Sequence, residues 1–216
     1  AAYREIGYKL VAVSNRGDDK GRTFANQHCT DFIADYRQLC RRNDIDYIDV
    51  CSFPDSRLPI TREALTAGKH VLVQKPIALT LDDASEMIRL AKEADRKLGV
   101  VSQHRFDDAS IFLKKSIDKG LLGTIIQADG YVKWYRPQSY YERPGKGKWA
   151  VEGGGALINQ GIHTADLLLY FAGAITGIQA NWRLGAVHKI ESEDVVNALL
   201  NYRSGATGVI QASTAI

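Results

Sequence analysis

Short strand-like and helix-like segments alternate along the first 120 residues, and this order constrains the fold more than any other feature. Apolar runs rich in β-forming residues are followed by amphipathic segments that end at glycine, as at Gly68, Gly99 and Gly120. The predicted strands are residues 8–13, 45–52, 70–73 and 100–103, and the predicted helices are residues 22–28, 36–42, 59–67, 80–97 and 107–119. This alternation predicts an α/β domain in which helices cover a parallel sheet.

The pattern changes after Gly123. Residues 124–135 alternate as a long strand, and further strands are predicted at 178–184, 194–202 and 207–214, with a turn at Ser204-Gly205. An apolar helix is predicted at 156–171. We therefore expect a mainly antiparallel sheet with a helix against it, an α+β domain, and we divide the chain into residues 1–121 and 122–216.

Composition excludes several classes of protein. The apolar runs are far shorter than the roughly 20 residues of a membrane span, and the first residues lack a secretory signal. The net charge of +3 is interspersed, which favours solvated helix faces over nucleic-acid binding. Cys29, Cys40 and Cys51 have no metal-type spacing and predict reduced, mostly buried thiols of a cytoplasmic protein. We expect no metal, no nucleic acid and no membrane partner.

A lysine follows one predicted strand in the run Val73-Gln74-Lys75-Pro76. Ligands of open parallel sheets bind outside the carboxyl ends of the strands, so Lys75 is a candidate site residue. The alternative is an ordinary solvated lysine at a strand end.

Residues 153–166 read GGGALINQGIHTAD and place three glycines before an apolar helix. Asn159 and His163 are four apart, so an α-helix puts them on one face. A histidine can move protons near neutral pH, although a histidine in an apolar helix is often a core residue. Asp166 either orients His163 or is a charge on the helix surface.

Aromatic and basic residues are concentrated at the end of the strand predicted at 124–135 and in the loop that follows it. They are Trp134, Tyr135, Arg136, Tyr140, Tyr141 and Trp149. Such a set suits a polyhydroxylated or anionic ligand, and the alternative is a loop that packs its rings on its own sheet.

Four motifs in order resemble one family across essentially the whole chain. They are AGKHVLVQKP at 67–76, the helix at 79–90, QHRF at 103–106 and GGGALINQGIHTADLL at 153–168. They resemble the Gfo/Idh/MocA oxidoreductases, the family of glucose–fructose oxidoreductase and inositol dehydrogenase. The resemblance implies a Rossmann-type domain that binds NAD or NADP. It also implies an α+β domain whose open sheet carries a carbohydrate-like substrate and the contacts of a homo-oligomer.

The resemblance also implies catalytic roles. His163 would take the proton of a sugar, inositol or nucleotide-sugar hydroxyl as hydride leaves for nicotinamide. Lys75 would stabilise the oxyanion, and Asn159 would orient the substrate or His163. The expected substrate-binding residues are Tyr135, Arg136, Trp149, Asn159 and His163.

The implied cofactor contacts include several departures from the family pattern. The expected residues are Ser14, Asn15, Arg16, Ser52, Phe53, Pro54, Gln74, Lys75 and Gln103. Gln74 replaces the usual Glu, Ser52-Phe53-Pro54 replaces a Thr-Pro turn, and Arg57 stands where His is common. The strand at 8–13 is followed by Arg16 rather than an acid, which would tolerate the 2′-phosphate of NADP, while Asp18 and Asp19 leave the choice open.

The family has a strand and a Gly-x-Gly-x-x-Gly turn before the point where this sequence starts. We therefore expect a chain truncated at both ends, with the first Rossmann strand missing, weak dinucleotide affinity and self-association. The missing phosphate turn favours a non-catalytic ligand sensor or regulator on the same scaffold, and an assembly module is a third possibility. The retained Lys75 and His163 favour an oxidoreductase.

Overall fold

The computed structural model describes residues 2–216, which divide into two compact units. The first unit contains residues 2–52, Ser56–Gln74 and Leu81–Gly99, and the second contains Phe53–Asp55, Lys75–Thr80 and Val100–Ile216. These limits do not coincide with the division between residues 121 and 122, which stays a prediction.

The first unit is built from short parallel strands and the helices between them. Its elements are α1 (Ala2–Glu5), β1 (Ala12–Val13), α2 (Asp18–His28), β2 (Asp31–Phe32), α3 (Tyr36–Cys40), β3 (Tyr47–Val50), α4 (Arg57–Thr66), β4 (His70–Val73), α5 (Leu81–Glu93) and β5 (Leu98–Val100). Strand β1 pairs with β2 in parallel, and a separate sheet has the order β3-β4-β5 with β3 and β4 parallel. The predicted Rossmann-type parallel sheet is confirmed.

Several predicted strands and helices begin or end at other residues in the structure. The strand predicted at 8–13 is reduced to Ala12–Val13, and the strand predicted at 100–103 lies at Leu98–Val100. Residues Gln103–Phe106 form a 3₁₀ helix instead. Helix α2 begins earlier than predicted, because Asp18 and Asp19 in its first turn suit the positive end of a helix dipole.

Aromatic rings from the start of the chain pack on β3. Tyr3 and Tyr8 stack at 6.4 Å, and both meet Tyr47 edge-on. The Tyr3 hydroxyl donates to the Asp49 carboxylate, and burial together with that carboxylate raises the pKa of Tyr3. Strands β1 and β3 do not pair with each other among the described residues, since they belong to different sheets.

The second unit is a mixed sheet covered by one helix. Its elements are α6 (Asp108–Asp118), β6 (Gly130–Lys133), α7 (Gln138–Tyr141), α8 (Trp149–Glu152), a π-helix (Leu157–Gly161), α9 (Ile162–Ala172), β7 (Ile175–Leu184), β8 (Glu193–Tyr202) and β9 (Thr207–Ser213). The sheet order is β6-β9-β8-β7, with β6 and β9 parallel and the other two pairs antiparallel. The mainly antiparallel α+β arrangement is confirmed.

Helix α9 covers one face of this sheet. Leu168 packs with alternate residues of β8, and the buried cluster also contains Ala198, Leu200, Tyr202, Ala206 and Ile210. The alternation in β8 explains the strand, because side chains two apart point to the same face. Gly205, at φ +89°, makes the turn from β8 to β9.

The solvent exposure of the cysteines differs from the prediction. Cys40 is buried, whereas Cys29 and Cys51 are exposed free cysteines, so the prediction of mostly buried thiols was wrong. Cys29 is the residue that caps the C-terminal end of α2, and its backbone is in the left-handed conformation. In the part of the chain that the structure describes, no helix is long and apolar enough to cross a membrane.

A buried histidine–aspartate pair organises the loop between β7 and β8. The Asp194 carboxylate accepts the backbone N–H groups of Ala186, Val187 and His188 at 2.7–3.1 Å. Burial alone would raise the pKa of Asp194, but these donors and the His188 ring outweigh it and the pKa is lowered. Within the ring, Nδ1 meets Asp194 at 3.0 Å and Nε2 meets the Arg136 carbonyl at 2.6 Å. The ring therefore bridges a buried carboxylate and a backbone carbonyl, both of which accept hydrogen bonds.

Replacing His188 with Phe should therefore destabilise the second unit. The variant keeps a ring but removes the hydrogen-bond partner of Asp194 and of the Arg136 carbonyl, and each buried polar group left unpaired costs about 1–3 kcal/mol. Urea denaturation would measure this loss in the free energy of unfolding. Lys189→Ala, an exposed position in the same loop, is the control and should change stability by less than about 0.5 kcal/mol. Equal stabilities of the two variants would contradict the prediction.

Candidate active site

Lys75 lies two residues after the end of β4 and belongs to the second unit. It is half-buried, and its Nζ donates to the backbone carbonyl of Asn159 at 2.6 Å. Pro76 follows it through a cis peptide bond and is buried. Lys75 is thus held against the glycine-led helix and is not a solvated surface lysine.

Asn159 lies in the π-helix Leu157–Gly161, not in the regular α-helix that was predicted. Its side-chain amide donates to the Gly154 carbonyl at 3.2 Å, while its own carbonyl holds Lys75. The four-residue spacing to His163 therefore crosses a change from π to α geometry. Single π-helical turns inside helices are frequent at functional sites. A direct role of the Asn159 side chain in orienting His163 stays a prediction.

The start of this helix is fixed by β8. The Glu193 carboxylate accepts the backbone N–H groups of Gly155 at 2.8 Å and Leu157 at 3.1 Å. A Cβ at Gly155 would lie 1.9 Å from the Glu193 carbonyl oxygen, so only glycine allows this approach. The glycine run is therefore a packing requirement of the site.

His163 is the second residue of α9, and its ring meets the His104 ring edge-on with centroids 5.0 Å apart. Nδ1 of His104 lies 2.8 Å from the Asp107 carboxylate. Burial lowers the pKa of His163, the charges of Lys75 and His104 lower it further, and Asp166 acts in the opposite direction. His163 is therefore a neutral base near neutral pH, and it is neither a simple core residue nor an imidazolium.

Asp166 fits neither of the two roles considered from the sequence. Both of its carboxylate oxygens accept from Arg105, at 2.7 and 2.5 Å, and Arg105 also lies over the Tyr170 ring. This pair fastens the 3₁₀ helix Gln103–Phe106 to α9. Sequence reasoning assigned no role to Arg105 or His104, and their place in the QHRF motif, shortly after β5, was the signal for them.

The expected cofactor residues divide between the units. Ser14, Asn15, Arg16, Ser52 and Gln74 lie in the first, and Phe53, Pro54, Lys75 and Gln103 lie in the second. Ser14 Oγ donates to the Ala34 carbonyl at 3.2 Å, and the Asn15 amide donates to the Gly17 carbonyl at 2.8 Å. Both residues follow β1, and their contact with a cofactor ribose stays a prediction.

Arg57 ties the carboxyl ends of β3 and β4 together. It is buried and donates to the carbonyls of Ser52 at 2.9 Å and Gln74 at 2.7 Å. Ser52 Oγ is buried there and has no hydrogen-bond partner within residues 2–216. An unpartnered hydroxyl at the carboxyl ends of parallel strands fits the polar groups of a dinucleotide. Sequence reasoning noted Arg57 only as a departure from the family pattern.

The other expected substrate residues, Tyr135, Arg136 and Trp149, lie between β6 and the π-helix. Tyr135 is exposed with its ring 6.4 Å from His188, and Arg136 lies 5.5 Å from the centre of the Tyr140 ring. Trp149 begins α8, is 46% exposed, and donates from its indole to the Glu191 carbonyl at 3.0 Å. The rings thus contact their own unit and still present surface to solvent. No cluster of histidine, cysteine or acidic side chains suited to a metal ion occurs in the described part of the chain.

Comparisons with known proteins agree with this architecture. Residues 1–102 match an oxidoreductase family with an NAD-binding Rossmann fold, and residues 111–216 match the GFO/IDH/MocA C-terminal domain. The uncharacterized oxidoreductase YhhX of Escherichia coli is 30% identical over 79% of this chain and 48% of its own length. The 1,5-anhydro-D-fructose reductase of Ensifer adhaerens is 29% identical over 78% of this chain and 50% of its own length.

A solved relative also shares the fold. The WlbA dehydrogenase of Bordetella pertussis, in complex with NADH and UDP-GlcNAcA, superposes with a TM-score of 0.94 at 27% identity, over 100% of this chain and 62% of that protein. The chain spans about half the length of the curated relatives it matches. It belongs to the Gfo/Idh/MocA family of oxidoreductases, and its first unit is an NAD-binding Rossmann-type domain.

The lowered pKa of His163 predicts the acid limb of the activity profile. A reaction in which His163 accepts a proton needs the neutral ring, so its rate should fall as pH drops through the pKa of His163, which lies below the ordinary 6.5. His104→Gln removes a neighbouring group that disfavours the imidazolium, so the pKa of His163 should rise and the limb should move to higher pH. Profiles of kcat/KM against pH would measure this, with His28→Gln on α2 as the control. A limb that stays in place or moves to lower pH would contradict the prediction.

Proposed function

We propose that the protein is an NAD(P)-dependent dehydrogenase that transfers a hydride between nicotinamide and a hydroxyl-bearing carbon of a sugar, inositol or nucleotide-sugar. One observation carries the proposal. The Lys75 ammonium group is bonded to the helical segment that continues into α9, which carries the partly buried, neutral imidazole of His163. Lys75 is bonded to the Asn159 carbonyl, and its charge lowers the pKa of His163. A proton-transfer pair of this kind suits alcohol oxidation.

The chain's own residues have distinct tasks in this reaction. His163 takes the hydroxyl proton of the substrate, and its low pKa keeps the ring ready to accept it. The Lys75 ammonium stabilises the oxyanion that develops on the substrate oxygen, since a fixed charge in a partly buried site acts strongly on developing charge. Asn159 orients the substrate from the π-helical turn. A bound nicotinamide supplies the hydride acceptor or donor.

Sugar and nucleotide-sugar chemistry is supported by the relatives. The reductase of Ensifer adhaerens is named for 1,5-anhydro-D-fructose, and the WlbA dehydrogenase was crystallised with UDP-GlcNAcA. Tyr135, Arg136 and Trp149 present exposed aromatic and cationic surface, which suits hydroxylated ligands.

NAD and NADP are both proposed as cofactors. Asn15 and Arg16 follow β1 where many NAD enzymes place an acid, and this favours acceptance of a 2′-phosphate. Asp18 and Asp19 open α2, so its N-terminus is poorly suited to phosphate. We place the reaction in the cytoplasm on the basis of the three unpaired cysteines.

His163→Ala should lower kcat by about 10²–10⁴-fold, the usual effect of removing a general base. Steady-state kinetics with a panel of sugars, inositols and nucleotide-sugars would measure this, with His28→Ala as the control. Near-normal turnover in the variant would remove His163 from the mechanism. Binding of cofactor and sugar without turnover by the unmodified protein would favour a non-catalytic sensor instead.

A homo-oligomer through the sheet of the second unit is also proposed. The face opposite α9 carries amide side chains on neighbouring strands around Leu199, which is 56% exposed. The residues of this face are Gln179, Asn181, Asn197, Leu199, Val209 and Gln211. Amides both donate and accept, so one such surface can pair with a second copy of itself about a two-fold axis.

Leu199→Asp should weaken this self-association. The carboxylate would stand near its symmetry mate, where like charges repel and burial is costly. Sedimentation velocity would show a shift toward monomer, with Leu122→Asp, an exposed leucine outside the sheet, as the control. An unchanged distribution would place the oligomer contact elsewhere.

A further inference from the structure

Three cationic side chains surround the ring of Tyr140 in α7. The guanidinium carbons of Arg136 and Arg143 lie 5.5 Å from the ring centre, and Lys146 Nζ lies 5.1 Å from it. All of these residues belong to the second unit.

The charges of this cluster are only partly balanced. Lys146 pairs with the buried Glu152 carboxylate at 2.5 Å, so its charge is neutralised. Neither Arg136 nor Arg143 forms an ion pair with any residue of the chain between positions 2 and 216. Arg136 donates only a long bond of 3.4 Å to the Tyr135 carbonyl, and its Nε is buried with no partner in the described residues. Two guanidinium charges are thus gathered on one ring without a counter-charge.

The cluster is joined to the candidate active site through Tyr140. The Gln160 amide donates to the Tyr140 hydroxyl at 3.4 Å. Gln160 is the neighbour of Asn159, whose carbonyl holds Lys75. One hydrogen bond and one peptide unit therefore connect the cationic ring cluster to the residue that positions the catalytic lysine.

We propose that Arg136 and Arg143 form an anion subsite for a carboxylate or phosphate carried by the substrate. This rests on the proposed function, because the subsite would bind one end of the molecule whose hydroxyl reacts at His163. Guanidinium groups bind carboxylate and phosphate oxygens with two parallel hydrogen bonds, and a buried unpartnered N–H is a ready donor. An anion also removes the repulsion between the two arginines.

The substrate class follows from this arrangement. It is a sugar acid, a sugar phosphate or a nucleotide-sugar, rather than a neutral sugar or inositol. Tyr140 holds the two guanidinium groups by cation–π contact when no anion is bound. Packing against the Tyr140 ring accounts for the position of one arginine. It does not explain why a second arginine without an ion-pair partner lies at the same ring.

Calorimetry with four related probes would test the subsite. Glucose is the neutral parent, glucuronate carries a carboxylate, glucose 6-phosphate a phosphate monoester and UDP-glucose a diphosphate. We expect at least one anionic probe to bind more tightly than glucose, and the strongest one identifies the source of the anion. Arg143→Gln should raise the Kd of that probe by about tenfold to hundredfold, the range for a hydrogen bond to a charged group.

Control variants separate the subsite from general effects. Arg203→Gln removes the same charge from an exposed position in the same unit and should leave the Kd unchanged. Arg143→Lys keeps the charge without the paired donors and should recover only part of the affinity. Arg143 is exposed, so its variants are not expected to unfold the protein. Equal affinity for glucose and every anionic probe, or an unchanged Kd in Arg143→Gln, would overturn the subsite.

Turnover distinguishes this proposal from the proposed function. Anion binding that depends on Arg143, without oxidation of any probe, would support the subsite and count against the dehydrogenase. Oxidation of glucose and its anionic relatives with equal kcat/KM would support the dehydrogenase and overturn the subsite. The kcat/KM for an anionic probe can be divided by the kcat/KM for glucose. A fall of this ratio in Arg143→Gln would support both the subsite and the dehydrogenase.

Discussion

The helix that carries the candidate active site begins on a buried carboxylate. Glu193, in β8, accepts two of the backbone N–H groups that the start of a helix leaves unpaired. Its backbone is in contact with Gly155, where a side chain would collide. These contacts with Glu193 set where the chain enters the helix. The positions of Asn159, His163 and Asp166 all depend on them, because each lies on the same continuous helical path.

The path and topology of the fold were largely predictable from the sequence, but its local contacts were not. Strand β4 and the hairpin between β8 and β9 were found because their periodicity and turn residues are local signals. The alternation of strand and helix likewise predicted parallel pairing. The strand at 8–13 was overestimated, since a strand needs a paired neighbour and only Ala12–Val13 has one, in β2.

In the candidate site, too, the residues in local motifs were predictable and the contacts between distant residues were not. Lys75, Asn159 and His163 were identified because their motifs are contiguous in sequence. The ion pair between Arg105 and Asp166 joins residues 61 positions apart, and the two bonds of Arg57 reach carbonyls just beyond the ends of two different strands. No local sequence pattern indicates partners that are so far apart in the chain. The π-helical turn was missed for a related reason: it depends on how Gly155 and Gly161 pack on β8 and β9, not on helix propensity.

The ion pair explains how His163 can remain neutral with a carboxylate one turn away. Asp166 raises the pKa of His163, and an unpaired carboxylate there would favour the imidazolium. Arg105 binds both oxygens of that carboxylate, which offsets its charge. Burial, Lys75 and His104 then dominate, and the pKa is lowered. A base that accepts a proton from an alcohol needs this balance, since a strongly stabilised imidazolium would already hold the proton. In the proposed reaction, Arg105 would thus act on His163 through Asp166.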